Sequence, residues 1–129
     1  MPKPPLVAII DDDASVRATT DSLVRSLGYV AHTFASAEEF LHSNRIDEFA
    51  CIMADVQMPG MSGVQLQDHL NAMGYVTPFI FLTGFPDEKT RARAMAGGAI
   101  CYLTKPFGGD NLIQCLETAL KTDGGGAGS

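Results

Sequence analysis

Leu6-Val7-Ala8-Ile9-Ile10-Asp11-Asp12-Asp13 sets an unbroken apolar run directly against three carboxylates. A run of that length, rich in β-formers, suits a strand buried on both faces, as in a parallel sheet. Val16, Thr20, Leu23, Val24 and Leu27 then recur at helical spacing, and Gly28 stands where a helix must stop. The stretch therefore reads as strand, acidic loop, helix.

Working outward, the same unit returns four times. Residues 29–34 form a second strand, and Ser36 with Glu39 suits a capping box for a short helix through Phe40 and Leu41. Residues 50–54 form a third strand, ended by Asp55. A loop containing Met58-Pro59-Gly60 leads to a helix with Leu66, Leu70 and Met73 on one side, stopped by Gly74. A fourth strand, 79–82, ends at Thr83-Gly84, and the helix after it starts near Pro86-Asp87 and stops at Gly97-Gly98. The fifth strand, 100–103, precedes Thr104-Lys105-Pro106 and a helix carrying Leu112, Ile113, Leu116, Ala119 and Leu120. One domain is expected over 1–121, with 122–129 a flexible Gly-rich tail or linker.

Strands alternating with helices imply an α/β fold with right-handed crossovers and helices on both faces of a parallel sheet. Five such units best suit the flavodoxin-like (βα)5 arrangement, a doubly wound parallel five-stranded sheet of order 2-1-3-4-5. Strands 1 and 3 are then neighbours, and ligands bind beyond the strands' carboxyl ends at that point.

Composition narrows the function. With 46% hydrophobic and 19% charged residues the chain is ordinary globular protein. A formal charge of −6 argues against direct binding of nucleic acid or anionic membrane, and no apolar run is long enough to span a bilayer. Cys51, Cys101 and Cys115 are odd in number and form no CxxC pair, so they are expected as buried thiols of a cytoplasmic protein. His32, His42 and His69 have no zinc-ligand spacing.

The predicted topology gathers Asp11 and Asp12 from strand 1, Asp55 from strand 3, Thr83 from strand 4 and Lys105 from strand 5 on one edge. Each has an ordinary explanation alone. Asp11 to Asp13 could cap a helix, Asp55 could hold an Asx turn, Thr83 could end a strand and Lys105 could be solvated. Asp13 is expected to do no more than cap. The others recur at equivalent places in successive units, which isolated caps and turns do not explain. Three crowded carboxylates need more counter-charge than one lysine supplies, and a hard divalent cation such as Mg²⁺ would provide it. A carboxylate beside Mg²⁺, an ammonium and a hydroxyl suits phosphoryl transfer, with Asp55 as nucleophile.

These residues also carry a resemblance. Ile9-Ile10-Asp11-Asp12, the run from Asp55-Val56-Gln57-Met58-Pro59-Gly60 to Met61-Ser62-Gly63, Leu82-Thr83-Gly84 and Lys105-Pro106-Phe107 resemble the motifs of bacterial two-component response-regulator receiver domains. The resemblance extends in order and spacing to about Lys121. It implies phosphorelay signalling in which Asp55 accepts a phosphoryl group from a sensor histidine kinase, without enzymatic turnover beyond that step and self-dephosphorylation. It implies Mg²⁺ held by Asp12, Asp55 and the backbone carbonyl of Gln57, with Asp11 acting largely through water. Thr83 and Lys105 would bind phosphoryl oxygens, and Thr83 with Tyr102 would form the switch that reshapes the surface of helix 4, strand 5 and helix 5. A homodimer through that surface, which includes Arg91, Arg93 and Asp110, and a cis Lys105-Pro106 peptide bond are further implications.

Two other classes fit parts of the pattern. Asp11-Asp12-Asp13 is formally the D-x-D of haloacid-dehalogenase-type phosphatases, which would make Asp11 the nucleophile and Asp13 the acid-base. That reading lacks a cap domain and a late acidic pair, and leaves Asp55 unused. A flavodoxin-type cofactor binder would need a hydroxyl- and glycine-rich loop where three aspartates stand. A binding-only receiver and a receiver cut from a longer, DNA-binding regulator are the remaining variants; the chain itself shows no helix-turn-helix.

Overall fold

Every apolar run becomes a strand and every periodic segment a helix in the computed structural model, which describes residues 4–105 and 107–125. In chain order the elements are β1 (Leu6–Ile10), α1 (Ala14–Ser26), β2 (Val30–Phe34), α2 (Ala37–His42), a 3-10 turn (Ile46–Glu48), β3 (Cys51–Asp55), α3 (Gly63–Ala72), β4 (Phe79–Thr83), α4 (Glu88–Ala96), β5 (Cys101–Thr104) and α5 (Gly109–Gly125). The five strands pair in parallel in the order β2-β1-β3-β4-β5, the order expected. Helix α5 continues to Gly125, into the stretch read as a tail, and residues 126–129 lie outside those described.

Strand side chains alternate between faces, so the sheet carries two cores. Ala8, Ile10, Ile52, Ala54, Phe79 and Phe81 face Phe40 of α2, Leu66 and Leu70 of α3 and Ala94 of α4. Val7, Ile9, Met53, Ile80 and Leu82 face Val24 of α1 and Leu112, Leu116 and Ala119 of α5. With both faces covered, β3 and β4 are buried along their whole length, which is why they read as unbroken apolar runs.

The expectation for the cysteines is corrected. Cys101 of β5 and Cys115 of α5 are joined in a disulfide, their Cα atoms 6.1 Å apart, within the span such a bond allows. Their sequence separation of 14 gives no CxxC-like signal, because the pairing depends on α5 folding back over β5. Cys51 lies buried on β3.

Candidate functional site

Parallel register brings the strand ends level. Ile10 lies beside Ala54, Asp55 beside Leu82, and Thr83 beside Thr104, so Asp11, Asp55, Thr83 and Lys105 emerge on one edge. The chain stays in sheet-like bonding as it leaves the strands. Asp11 N–H donates to the Phe34 carbonyl at 3.1 Å, Val56 N–H to that of Leu82 at 2.9 Å, and Lys105 N–H to that of Thr83 at 2.7 Å. Gly63 opens α3 where its N–H reaches the Val56 carbonyl, and a Cβ there would collide with the Asp55 carbonyl oxygen. Glycine at that position lets α3 start directly behind β3.

The Lys105 ammonium lies between two carboxylates, donating to Asp11 Oδ2 and to Asp55 Oδ2, each at 2.9 Å. Asp55 Oδ1 accepts from the Gln57 amide at 3.0 Å, and Asp11 Oδ1 from the Asp13 amide at 2.9 Å. Asp11 is 1% exposed and Asp55 7%, so water screens little of their mutual repulsion. Burial, chiefly, raises the Asp55 pKa; the Lys105 and Gln57 hydrogen bonds oppose the rise and the Asp11 charge adds to it. Burial also works against the Lys105 charge, but the bonds to Asp11 and Asp55 and their charges outweigh it and raise its pKa.

Asp12 is exposed beside this pair. Carboxylate oxygens of Asp11, Asp12 and Asp55 all lie within 4.8 Å of one another, an all-oxygen donor set that fits a hard cation and offers nothing to a soft one. Asp13 does what the cap reading requires, accepting from the amides of Ser15 at 2.9 Å and Val16 at 3.3 Å at the start of α1. Its Oδ1 is thereby committed to the helix start, as a capping residue requires.

Thr83 is fully buried, its hydroxyl accepting from the Phe85 amide at 3.0 Å. Tyr102 packs against the core on the α3–α4 side, with its hydroxyl enclosed and without a hydrogen-bond partner among the described residues. Arg91 lies 3.6 Å from Glu88, and Arg93 pairs with Asp68 of α3, so both arginines of the expected dimer surface already have partners within the chain. The Lys105-Pro106 bond falls at Pro106, outside the described residues.

One site neighbour went unread in the sequence. Arg17 of α1 donates through Nη1 to the Asp11 backbone carbonyl at 2.7 Å, fixing the loop and adding a second cation near the carboxylates. Its signal was a cation early in a helix, where the macrodipole disfavours positive charge, next to an acidic run.

Residues 7–117 match the family described as response regulator receiver domain. The chain is 37% identical over 118 residues to nodulation protein W of Bradyrhizobium diazoefficiens, covering 92% of this chain and 52% of that protein. Among solved structures, the response regulator StyR is similar at a TM-score of 0.87 and 39% identity, over 93% of this chain and 61% of StyR. Chemotaxis protein CheY4 of Vibrio cholerae has a TM-score of 0.82 at 28% identity, over 91% of this chain and 99% of its own. The chain thus spans about half the length of the curated relatives it matches and almost all of the chemotaxis protein. A five-stranded sheet of order 2-1-3-4-5, an acidic cluster at its switch point and this family match converge: the chain belongs to the response regulator receiver domain family.

Proposed function

We propose that Asp55 is the phosphoacceptor of this receiver, taking a phosphoryl group from the phosphohistidine of a sensor kinase. The observation that carries the reading is the Lys105 ammonium bridging Asp11 and Asp55 at 2.9 Å each, beside a cluster of three carboxylates. A carboxylate oxygen of Asp55 attacks phosphorus, the P–O bond forms as the P–N bond breaks, and the departing imidazole takes up a proton. Mg²⁺ held by Asp12, Asp55 and the Gln57 carbonyl, with Asp11 reached through water, would neutralise charge on the transferring group. Lys105 orients Asp55 before transfer and donates to a phosphoryl oxygen afterwards. Thr83 supplies a hydroxyl to another oxygen by turning from the Phe85 amide, and Tyr102 fills the space it leaves. Water returns Asp55 to its free form by hydrolysing the acyl phosphate.

The output follows from the surface that changes. Helix α4, β5 and α5 present the altered face to a second copy, to an output domain that regulates transcription, or, in a stand-alone receiver, to a separate partner. Among the relatives, FixJ of Bradyrhizobium diazoefficiens, at 34% identity, is named a transcriptional regulatory protein, and the chain covers 56% of it. The reading places the domain in the cytoplasm; among the described residues no helix is long and apolar enough to cross a membrane.

Incubation with a small acyl phosphate, followed by intact mass, tests this. A single phosphoryl adduct is expected that needs Mg²⁺ and is absent from Asp55→Asn. An adduct that survives in Asp55→Asn and disappears in Asp11→Asn would instead support the phosphatase-like chemistry.

A further inference from the structure

The Cys101–Cys115 disulfide is used by nothing in the phosphoryl site, yet it spans the segment that serves it. Cys101 opens β5 beside Ile80 of β4, is partly buried and packs on the α1–α5 side of the sheet. Cys115 is buried on α5 among Leu112, Leu116 and Ala119. The loop closed between them carries Tyr102, whose hydroxyl is enclosed on the opposite face, and Lys105, whose ammonium joins Asp11 to Asp55. One covalent bond therefore holds both ends of the segment that supplies the switch tyrosine and the site cation.

Disulfides persist in oxidising compartments, whereas in a reducing one they are usually transient and redox-sensing. A receiver working beside a cytoplasmic kinase belongs to the second case. We propose that Cys101 and Cys115 are a reversible thiol–disulfide pair, a modification site that makes the β5–α5 segment responsive to low-molecular-weight thiols and disulfides; its effect on signalling rests on the receiver reading above. Exchange enters at the more accessible sulfur. The Cys101 thiolate attacks one sulfur of a disulfide such as oxidised glutathione, forming a mixed disulfide and releasing one thiolate. The Cys115 thiolate then attacks Cys101 Sγ and expels the second. Two cysteine thiols and one small disulfide become one protein disulfide and two small thiols, the electrons and protons passing to the glutathione. Reduced glutathione reverses the sequence.

In the dithiol form the apolar contacts of Leu112, Leu116 and Ala119 still seat α5 on the sheet, so the fold persists. What changes is the freedom of the loop, because closing it by a covalent bond removes conformations otherwise open to the chain. The disulfide form holds Lys105 against Asp11 and Asp55, and the dithiol form lets it leave.

The full chain is poised in oxidised or reduced glutathione and followed by intact mass, disulfide mapping, amide hydrogen exchange and phosphoryl uptake from an acyl phosphate. Oxidised glutathione is expected to remove two hydrogens by joining Cys101 to Cys115, to slow amide exchange over residues 101–115 several-fold and to change the uptake rate several-fold. Reduced glutathione restores all three, and Cys101→Ser or Cys115→Ser abolishes the mass change. No loss of hydrogens at any glutathione ratio, a bond that recruits Cys51, or a Cys101–Cys115 bond that leaves exchange unchanged would overturn the proposal. Mass and exchange need no phosphate. Uptake absent in both forms, with exchange still redox-dependent, would overturn the phosphoacceptor reading and support the pair.

Discussion

Asp55 sits where an ionised carboxylate is least comfortable without a cation, buried and with the oxygens of Asp11 and Asp12 within 4.8 Å. Lys105 and Arg17 bring two positive charges to the neighbourhood of three negative ones. Without metal, Asp55→Asn should therefore stabilise the domain, by about 1 kcal/mol as single-site changes go. Urea unfolding in chelator checks the direction, and added Mg²⁺ should stabilise wild type more than the variant, because the variant lacks one of the carboxylates proposed to hold the ion. Equal stabilities in chelator would mean that charge crowding is already relieved by the protein. Asp11, Asp55, Thr83 and Lys105 were legible in the sequence because each ends an apolar run, so topology alone places it. Arg17 offered only the weaker signal of a cation early in a helix beside an acidic run, because its partner is a backbone carbonyl rather than a side chain.

Elements set the precision of the site. Helix α3 begins with a complete capping box: Ser62 Oγ accepts from the Gln65 amide at 3.1 Å, and the Gln65 side chain accepts from the Ser62 amide at 2.8 Å. Immediately inside it, Gly63 touches the Asp55 backbone. Gly63→Ala should destabilise the domain by roughly 1–3 kcal/mol through overpacking, and slow phosphoryl uptake by displacing Asp55. Gly84→Ala, where a Cβ meets nothing within 4 Å, is the control and should unfold like wild type. If the two alanine variants match in a urea titration, the close approach at Gly63 carries no cost.

Glu38 of α2 steadies the same loop from outside, accepting from the Met61 amide at 2.9 Å. That backbone hydrogen bond, chiefly, lowers its pKa below the ordinary 4.5. A carboxylate with a depressed folded pKa adds stability above its unfolded value and loses it as pH falls through the folded one. The advantage of wild type over Glu38→Gln should therefore be full above 4.5 and shrink below it, read as unfolding midpoints against pH. Midpoints that run parallel across that window would show the bond indifferent to the charge. The Ser36–Glu39 start of α2 was half legible from spacing: Ser36 Oγ accepts from the Glu39 amide at 3.0 Å, but the reciprocal bond of a capping box, Glu39 side chain to Ser36 amide, is absent among the described residues. The Glu38 link spans 23 residues and was not, since local patterns carry no long-range pairing.

At the scale of the molecule, the alternation of apolar runs and helical periods was enough to give the sheet order, because a parallel sheet covered on both faces writes itself as buried strands. It could not reveal what joins one layer to another. The disulfide between β5 and α5 and the bonds from Gln67 to the Ala94 carbonyl and from Asn71 to the Gly97 carbonyl, each 3.0 Å, tie elements far apart in the chain. Those two α3 side chains hold the end of α4, while Thr83 and Phe85 stand before its start. The proposed switch at Thr83 would therefore reach α4 first at its N-terminal end.

Borohydride can locate the carboxylate that carries the proposed acyl phosphate, since it reduces an aspartyl phosphate to homoserine. After exposure to an acyl phosphate and Mg²⁺, reduction and peptide mass mapping should find homoserine at position 55 alone. Homoserine at position 11, or at neither position under conditions where the adduct is seen by intact mass, would contradict it.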